Sequence, residues 1–195
     1  MATQDTDLSP GGRVRLRFSH AGFYVRDLPR MVDFYTRVLG FIVTDRGIHN
    51  GSEIVFTSWD AEEHHQIILV AGRHGPLEFN HINQLSFRVD TLEQLQSVWR
   101  AVTAEPEVAD LRPTSHGNAW SIYFRDPEGN RIEIFCDTEW HVTQPCGQPL
   151  DLSLPAGEIR DRTEAFCRGA PGFKPMAAYR REMEEILNRG SPSAG

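Results

Sequence analysis

Lysine is almost missing from this 195-residue sequence: Lys174 is one of 20 cationic side chains, and the other 19 are arginine. The arginines are dispersed and 27 acidic residues bring the formal net charge to −7. No basic block is available to neutralise a phosphate backbone, so nucleic acid is not expected as a partner. Cysteine is scarce too, with Cys136, Cys146 and Cys167 only. An odd number without CxxC spacing argues against a disulfide framework or a thiolate metal site, and fits a reducing cytoplasm. Long apolar runs are also lacking, so neither a secretion signal in "MATQDTDLSPGGRVRLR" nor a membrane span is expected. The remaining composition, 39% hydrophobic and 24% charged, suits a globular protein with one well-buried core or two small fused modules.

The chain repeats itself. "HAGFYVRDLPRMVDFYTRVLGF" begins at His20 and "QLSFRVDTLEQLQSVWRAV" at Gln84, and this offset pairs Phe23 with Phe87, Val25 with Val89, Leu28 with Leu92, Met31 with Leu95 and Tyr35 with Trp99. The matches first alternate by two, as in a strand, and then step by three and four, as on one helix face. Pro29 suits the first turn of the first helix, and Asp90 or Thr91 can cap the second. Three further strand candidates follow each helix: Phe41–Thr44, Glu53–Ser58 and His65–Ala71, then Glu107–Leu111, Trp120–Arg125 and Arg131–Cys136, with the turn "DPEGN" joining the last two. The expected fold is α+β: two tandem βαβββ modules forming a curled mixed sheet around a shared metal and substrate cavity. Residues 1–13 are expected to be a loose arm, 14–74 and 75–137 the two modules, and 138–195 an extension with two short amphipathic helices, the second ending at Gly190. The extension has two open roles, a cover over an opening or a dimer contact.

Parity assigns the side chains. With Phe23, Val25, Phe87 and Val89 facing their helices, His20, Tyr24, Gln84, Ser86 and Arg88 face the cavity, and Tyr123, Arg131 and Glu133 do so from the last hairpin. An imidazole from His20 and a carboxylate from Glu133 suit Fe(II), Mn(II), Zn(II) or Ni(II), and the repeat nominates Gln84 as third ligand. His81 competes for that place if a bulge at Ile82–Asn83 resets the register. His65, His116 and Tyr123 add groups able to move a proton or donate to an oxyanion. His49, His64, His74 and His141 have no such company and read as surface histidines.

"FYTRVLGF", "PTSHG" followed by "IYFRDPEGNRIEIF", and "HHQIILV" resemble the vicinal oxygen chelate superfamily, which spans glyoxalases, bleomycin resistance proteins and extradiol dioxygenases. The type I extradiol ring-cleaving dioxygenases are the most similar branch. The resemblance covers His20 to about Cys136 and implies Fe(II) held by His20 and Glu133, His65 as a proton-transferring residue, and His116 with Tyr123 as substrate contacts. It implies a small aromatic diol and O2 as partners and ring opening beside the diol. Gln84 stands where that branch has a histidine. Phe18, Tyr24, Ile67, Leu69 and Phe135 share the cavity-facing parity and would line an aromatic-ring pocket. Two other readings stay open: a glyoxalase-like isomerase or lyase using a non-redox divalent ion, and a protein that binds an aromatic compound or antibiotic without chemistry.

Overall fold

The structure, a computed structural model, describes residues 17–75 and 82–189. The expected N-terminal arm, His81 and the helix end at Gly190 lie outside those residues. Strand β1 (Ala21–Val25) leads into α1 (Leu28–Asp33), whose N-terminus is capped by the Asp27 side chain accepting from the Arg30 N–H, with Pro29 in the first turn. The helix then widens into a π-helical turn, Phe34–Val38, that buries Phe34 and Tyr35. Three strands follow, β2 (Ile42–His49), β3 (Ser52–Ser58) and β4 (Ile67–Ala71). The second module repeats the order with β5 (Leu85–Arg88), α2 (Leu92–Thr103), β6 (Ala109–Ser115), β7 (Ala119–Arg125) and β8 (Arg131–Asp137). Thr91 is the residue that caps α2, its hydroxyl accepting from the Gln94 N–H at 3.2 Å.

The first module makes a four-stranded sheet ordered β1-β4-β3-β2, with β1 and β4 parallel and the other pairs antiparallel. The second places β5 parallel to β8 in the same way, and a short strand β10 (Gln148–Pro149) extends its far edge to give β10-β6-β7-β8-β5. The order βαβββ therefore occurs twice. Among the described residues no ladder joins the two sheets; side chains do. Phe23 packs on Tyr35, Tyr35 on Phe41, and Phe41 on Phe87 with ring centroids 5.4 Å apart, so the helix-facing sides of both sheets share one apolar core.

A polar joint reinforces that core. The Glu128 carboxylate, 2% exposed, accepts from the backbone N–H groups of Arg26 and Asp27, both at 2.7 Å, and lies 3.5 Å from the Arg73 guanidinium. These bonds hold the "DPEGN" turn of the second module against the strand-to-helix turn of the first. Asp126 organises the turn itself, accepting from the N–H groups of Glu128 and Asn130 and from the Asn130 side chain. The buried Tyr35 hydroxyl reaches the same carboxylate at 3.3 Å.

The extension packs on the second module. Strand β9 (Trp140–His141) pairs with β11 (Lys174–Pro175), and helices α3 (Ala156–Gly169) and α4 (Met176–Arg189) follow the chain order of these pieces. Trp120, 2% exposed, donates its indole N–H to Thr163 of α3 at 2.8 Å, so a core residue of the module finds its hydrogen bond only in the extension. Leu152 and Ile159 complete the same core. No described helix is long and apolar enough to cross a membrane.

Candidate functional site

Register builds the first part of the site. Arg112 of β6 pairs with Tyr123 of β7, Tyr123 with Glu133 of β8, and Glu133 with Ser86 of β5, so these four side chains form one cross-strand row. Glu133 is 8% exposed, and a carboxylate so far out of water needs compensating donors. It has three: the Tyr123 hydroxyl donates to Oε1 at 2.5 Å, while the Ser86 hydroxyl and the Gln84 amide donate to Oε2 at 2.5 and 2.7 Å. Burial first, and then the bond to Glu133, pushes the Tyr123 hydroxyl up to a pKa of about 12. Tyr123 therefore remains a protonated donor at neutral pH.

His116 extends this chain. It follows β6 in a tight turn closed by its N–H on the Ala119 carbonyl, and its Nε2 lies 2.8 Å from the Tyr123 hydroxyl. Its Nδ1 lies 2.6 Å from the Cys146 carbonyl oxygen. A carbonyl only accepts, so Nδ1 carries a hydrogen and Nε2 is turned toward Tyr123. The extension fixes this arrangement through Gln144, whose amide donates to the His116 carbonyl at 2.8 Å and whose oxygen accepts from the Cys146 N–H at 2.9 Å. Gly117 follows at φ +76, where a Cβ would stand 2.5 Å from the Val142 side chain, so the loop and the extension meet without room for any other residue. Sequence reasoning missed Gln144 and Cys146 because they lie outside the repeat and act on a residue almost thirty positions away.

The remaining histidines gather on the first module. His20 precedes β1, and its exposed ring stands edge-on to His65 with centroids 4.4 Å apart. His65 lies two residues before β4 rather than inside it, with Phe56 5.1 Å away and the His64 Nδ1 2.9 Å from its own Nδ1. Desolvation, followed by the charges of His20 and His64, pulls the His65 pKa below the ordinary imidazole value. Ser19 bridges to a carboxylate here: its hydroxyl donates to Glu63 at 3.2 Å and lies 3.2 Å from the His20 Nδ1. His64, set aside in the sequence as a surface residue, thus belongs to this cluster.

The candidate residues therefore fall into two groups, His20 with His65 and Gln84 with Glu133, Tyr123 and His116; among the described residues no hydrogen bond or ring contact links one group to the other. The donor types suit a divalent cation. Glu133 Oε1 retains a lone pair beside its one bond, and Gln84 uses only its amide nitrogen among the described residues, which leaves its oxygen for a cation. No cluster of three or more His, Cys, Asp or Glu side chains fit for a metal occurs among the described residues.

The apolar pocket needs correction. Ile67 and Leu69 are 3% and 0% exposed and belong to the core. The register explains why: Leu69 pairs with Phe23 in the parallel β1-β4 ladder and shares its helix-facing side, so Ile68 and Val70 occupy the other face. Phe18 and Tyr24 are strongly exposed, and Phe135 is half-buried beneath the Arg88 guanidinium, 5.0 Å from its centroid.

Comparison with known proteins places this architecture. Metapyrocatechase from Pseudomonas sp. (strain CF600) is 29% identical over 134 residues, covering 67% of this chain and 42% of that protein. Biphenyl-2,3-diol 1,2-dioxygenase 3 from Rhodococcus globerulus is 30% identical over 129 residues, covering 62% of this chain and 63% of that protein. The chain thus spans less than two thirds of the curated relatives it matches. Among solved structures, a glyoxylase/bleomycin resistance protein/dioxygenase domain from Frankia sp. EAN1pec superposes with a TM-score of 0.55 at 21% identity, covering 64% of this chain and 99% of that one, a likeness of fold. The family profile itself matches residues 17–134, from the start of the described structure to the middle of β8, and the duplicated βαβββ order is the physical counterpart of that match. The chain belongs to the Glyoxalase/Bleomycin resistance protein/Dioxygenase superfamily.

Proposed function

We propose that the protein is a metal-dependent dioxygenase that opens the ring of a catechol-like substrate with O2. The observation that carries this reading is the buried Glu133 carboxylate tied through Tyr123 to His116, a chain with a carboxylate at one end and an imidazole at the other. The names of the curated relatives support the substrate class. His20 and Glu133 would hold Fe(II), with Gln84 as a weaker third donor, or His81 in its stead; Mn(II), Zn(II) and Ni(II) suit the same donors. Bound iron supplies Lewis acidity and redox electrons for the reaction with O2.

The protein's own groups do the rest. Tyr123, held protonated by its burial and by Glu133, has a single hydrogen; with Glu133 engaged by a cation, that hydrogen would turn to a substrate oxygen and orient the diol. His116 shares a hydrogen bond with that hydroxyl and fixes its position. His65, kept neutral by desolvation and by its imidazole neighbours, accepts a proton from a diol hydroxyl and returns it later in the cycle. Tyr24 and Phe135 offer aromatic surface to the ring.

A metal-dependent isomerase is the second reading, favoured by Glu63: through Ser19 it stands beside His20, which puts another carboxylate near the first-module imidazoles. Protein prepared without oxygen, loaded with Fe(II) and exposed to catechols distinguishes the two. Iron near one per chain with an absorbing ring-opened product, and retention of iron without product in His65→Phe, is the expected result. Zinc or nickel loading with isomerase turnover and no ring opening refutes the dioxygenase.

A further inference from the structure

Beside Tyr123, on the inner strands β6, β7 and β8 of the second sheet, lies a cavity of about 410 Å3 whose lining includes Asp110, Arg112, Tyr123, Arg125 and Arg131. Three guanidiniums meet one carboxylate there, in a chain whose net charge is −7. Abundance of positive charge does not explain the cluster. Register makes it costly as well: Arg125 and Arg131 are direct cross-strand partners at the end of the β7-β8 ladder, an arrangement that like charges disfavour.

The charges are only partly compensated. Asp110 takes Arg125 at 2.6 Å, and the Gly129 carbonyl takes the same guanidinium at 2.8 Å. Asp110 sits at φ +54, a left-handed conformation disfavoured for a residue with a side chain. Arg131 donates to the neutral Asn83 side chain at 3.1 Å, and Arg112 lies over the Tyr123 ring with its guanidinium carbon 5.4 Å from the centroid. Neither of these two makes an ion pair among the described residues. Planar guanidiniums with free donors match the geometry of a carboxylate.

Tyr123 belongs both to this cavity and to the hydrogen-bonded chain of Glu133 and His116. One molecule can therefore place a group between Arg112 and Arg131 while its oxygens meet Tyr123. We propose that the cavity is the subsite for an anionic substituent, and that the substrate is an aromatic ring bearing a carboxylate side chain. The diol portion of that substrate rests on the dioxygenase reading given above; the carboxylate portion rests on the arginines alone.

Calorimetric binding to the metal-loaded protein without oxygen tests it, with three probes: 3,4-dihydroxyphenylacetate, its methyl ester, and phenylacetate. The expected result is that the free acid binds at least about tenfold more tightly than the ester, as one charge-assisted hydrogen bond requires. The ratio should fall to within about twofold in the Arg112→Gln/Arg131→Gln variant, whose unchanged thermal midpoint shows that it is folded, and should shrink in the wild type as salt is raised. Equal binding of acid and ester, or a preference that survives the double substitution, overturns the subsite and leaves the diol reading standing. Phenylacetate binding as tightly as the dihydroxy acid overturns the diol reading and leaves the subsite standing. If neither acid nor ester binds, both fail.

Discussion

Replacing Glu128 by alanine should loosen the joint between the two modules, and its cost follows from three contacts. The substitution strands the part-buried backbone N–H groups of Arg26 and Asp27, each bonded to Oε1 at 2.7 Å, and takes a carboxylate from 3.5 Å beside the Arg73 guanidinium. A hydrogen bond to a charged group contributes about 1.5–3 kcal/mol, and breaking a buried ion pair costs about 3–5 kcal/mol. The contacts share one side chain and do not add, so about 4 kcal/mol is the expected loss, a large part of the roughly 5–15 kcal/mol that a domain has. Glu128→Gln keeps an oxygen for both N–H groups and gives up only the charge, so about 1–2 kcal/mol is expected. Urea unfolding reads the difference: with a slope of about 2 kcal/mol/M, the midpoint falls by about 2 M for alanine and by less than about 1 M for glutamine. Hydrogen exchange at the Arg26 and Asp27 amides should accelerate in the alanine variant ahead of the core of α2. A midpoint within about 0.5 M of wild type for Glu128→Ala, or equal shifts for the two substitutions, would refute the assignment of this carboxylate as the link between modules.

Other perturbations probe the extension. Thr163→Val removes the acceptor of the buried Trp120 indole N–H at unchanged volume, and should cost about 1–3 kcal/mol in thermal unfolding; a neutral result would mean that α3 contributes only apolar contact. Gln144→Glu keeps the acceptor for the Cys146 N–H but replaces the donor to the His116 carbonyl with a carboxylate. Nitrogen NMR of His116 should then show loss of the hydrogen-bonded Nδ1–H, with substrate turnover reduced and metal content unchanged; an unaltered imidazole spectrum would remove Gln144 from the positioning of that ring.

The duplication was legible because strand and helix spacing recur at a single offset, and because "DPEGN" announces a turn that Asp126 and Asn130 do in fact organise. Glu133 and Tyr123 were legible for the same reason, since strict alternation in "SIYFRDPEGNRIEIF" leaves one parity for polar residues. Ile67 and Leu69 were misplaced because "QIILVAG" is apolar on both faces of β4 and carries no alternation to read. The sequence leaves the cap on α2 open between Asp90 and Thr91, and the Thr91 hydroxyl is the one placed to accept from the Gln94 N–H. The π-helical turn after α1 had no signature in the spacing. Gln144 and the Cys146 carbonyl were invisible for a deeper reason: a main-chain acceptor can be supplied by any residue type, so its identity leaves no trace in composition or pattern.

The tight fit of Gly117 against Val142 redraws the boundary of the working unit. The family profile ends within β8, yet the imidazole of His116 is aimed by atoms contributed after that point, and the indole of Trp120 is satisfied by a helix later still. A fragment trimmed to the recognisable family segment would keep every side chain singled out by ancestry and lose the scaffold that points them. In this protein the appended tail is part of the instrument, and altering it would re-aim the His116 imidazole without touching a single family-defining residue.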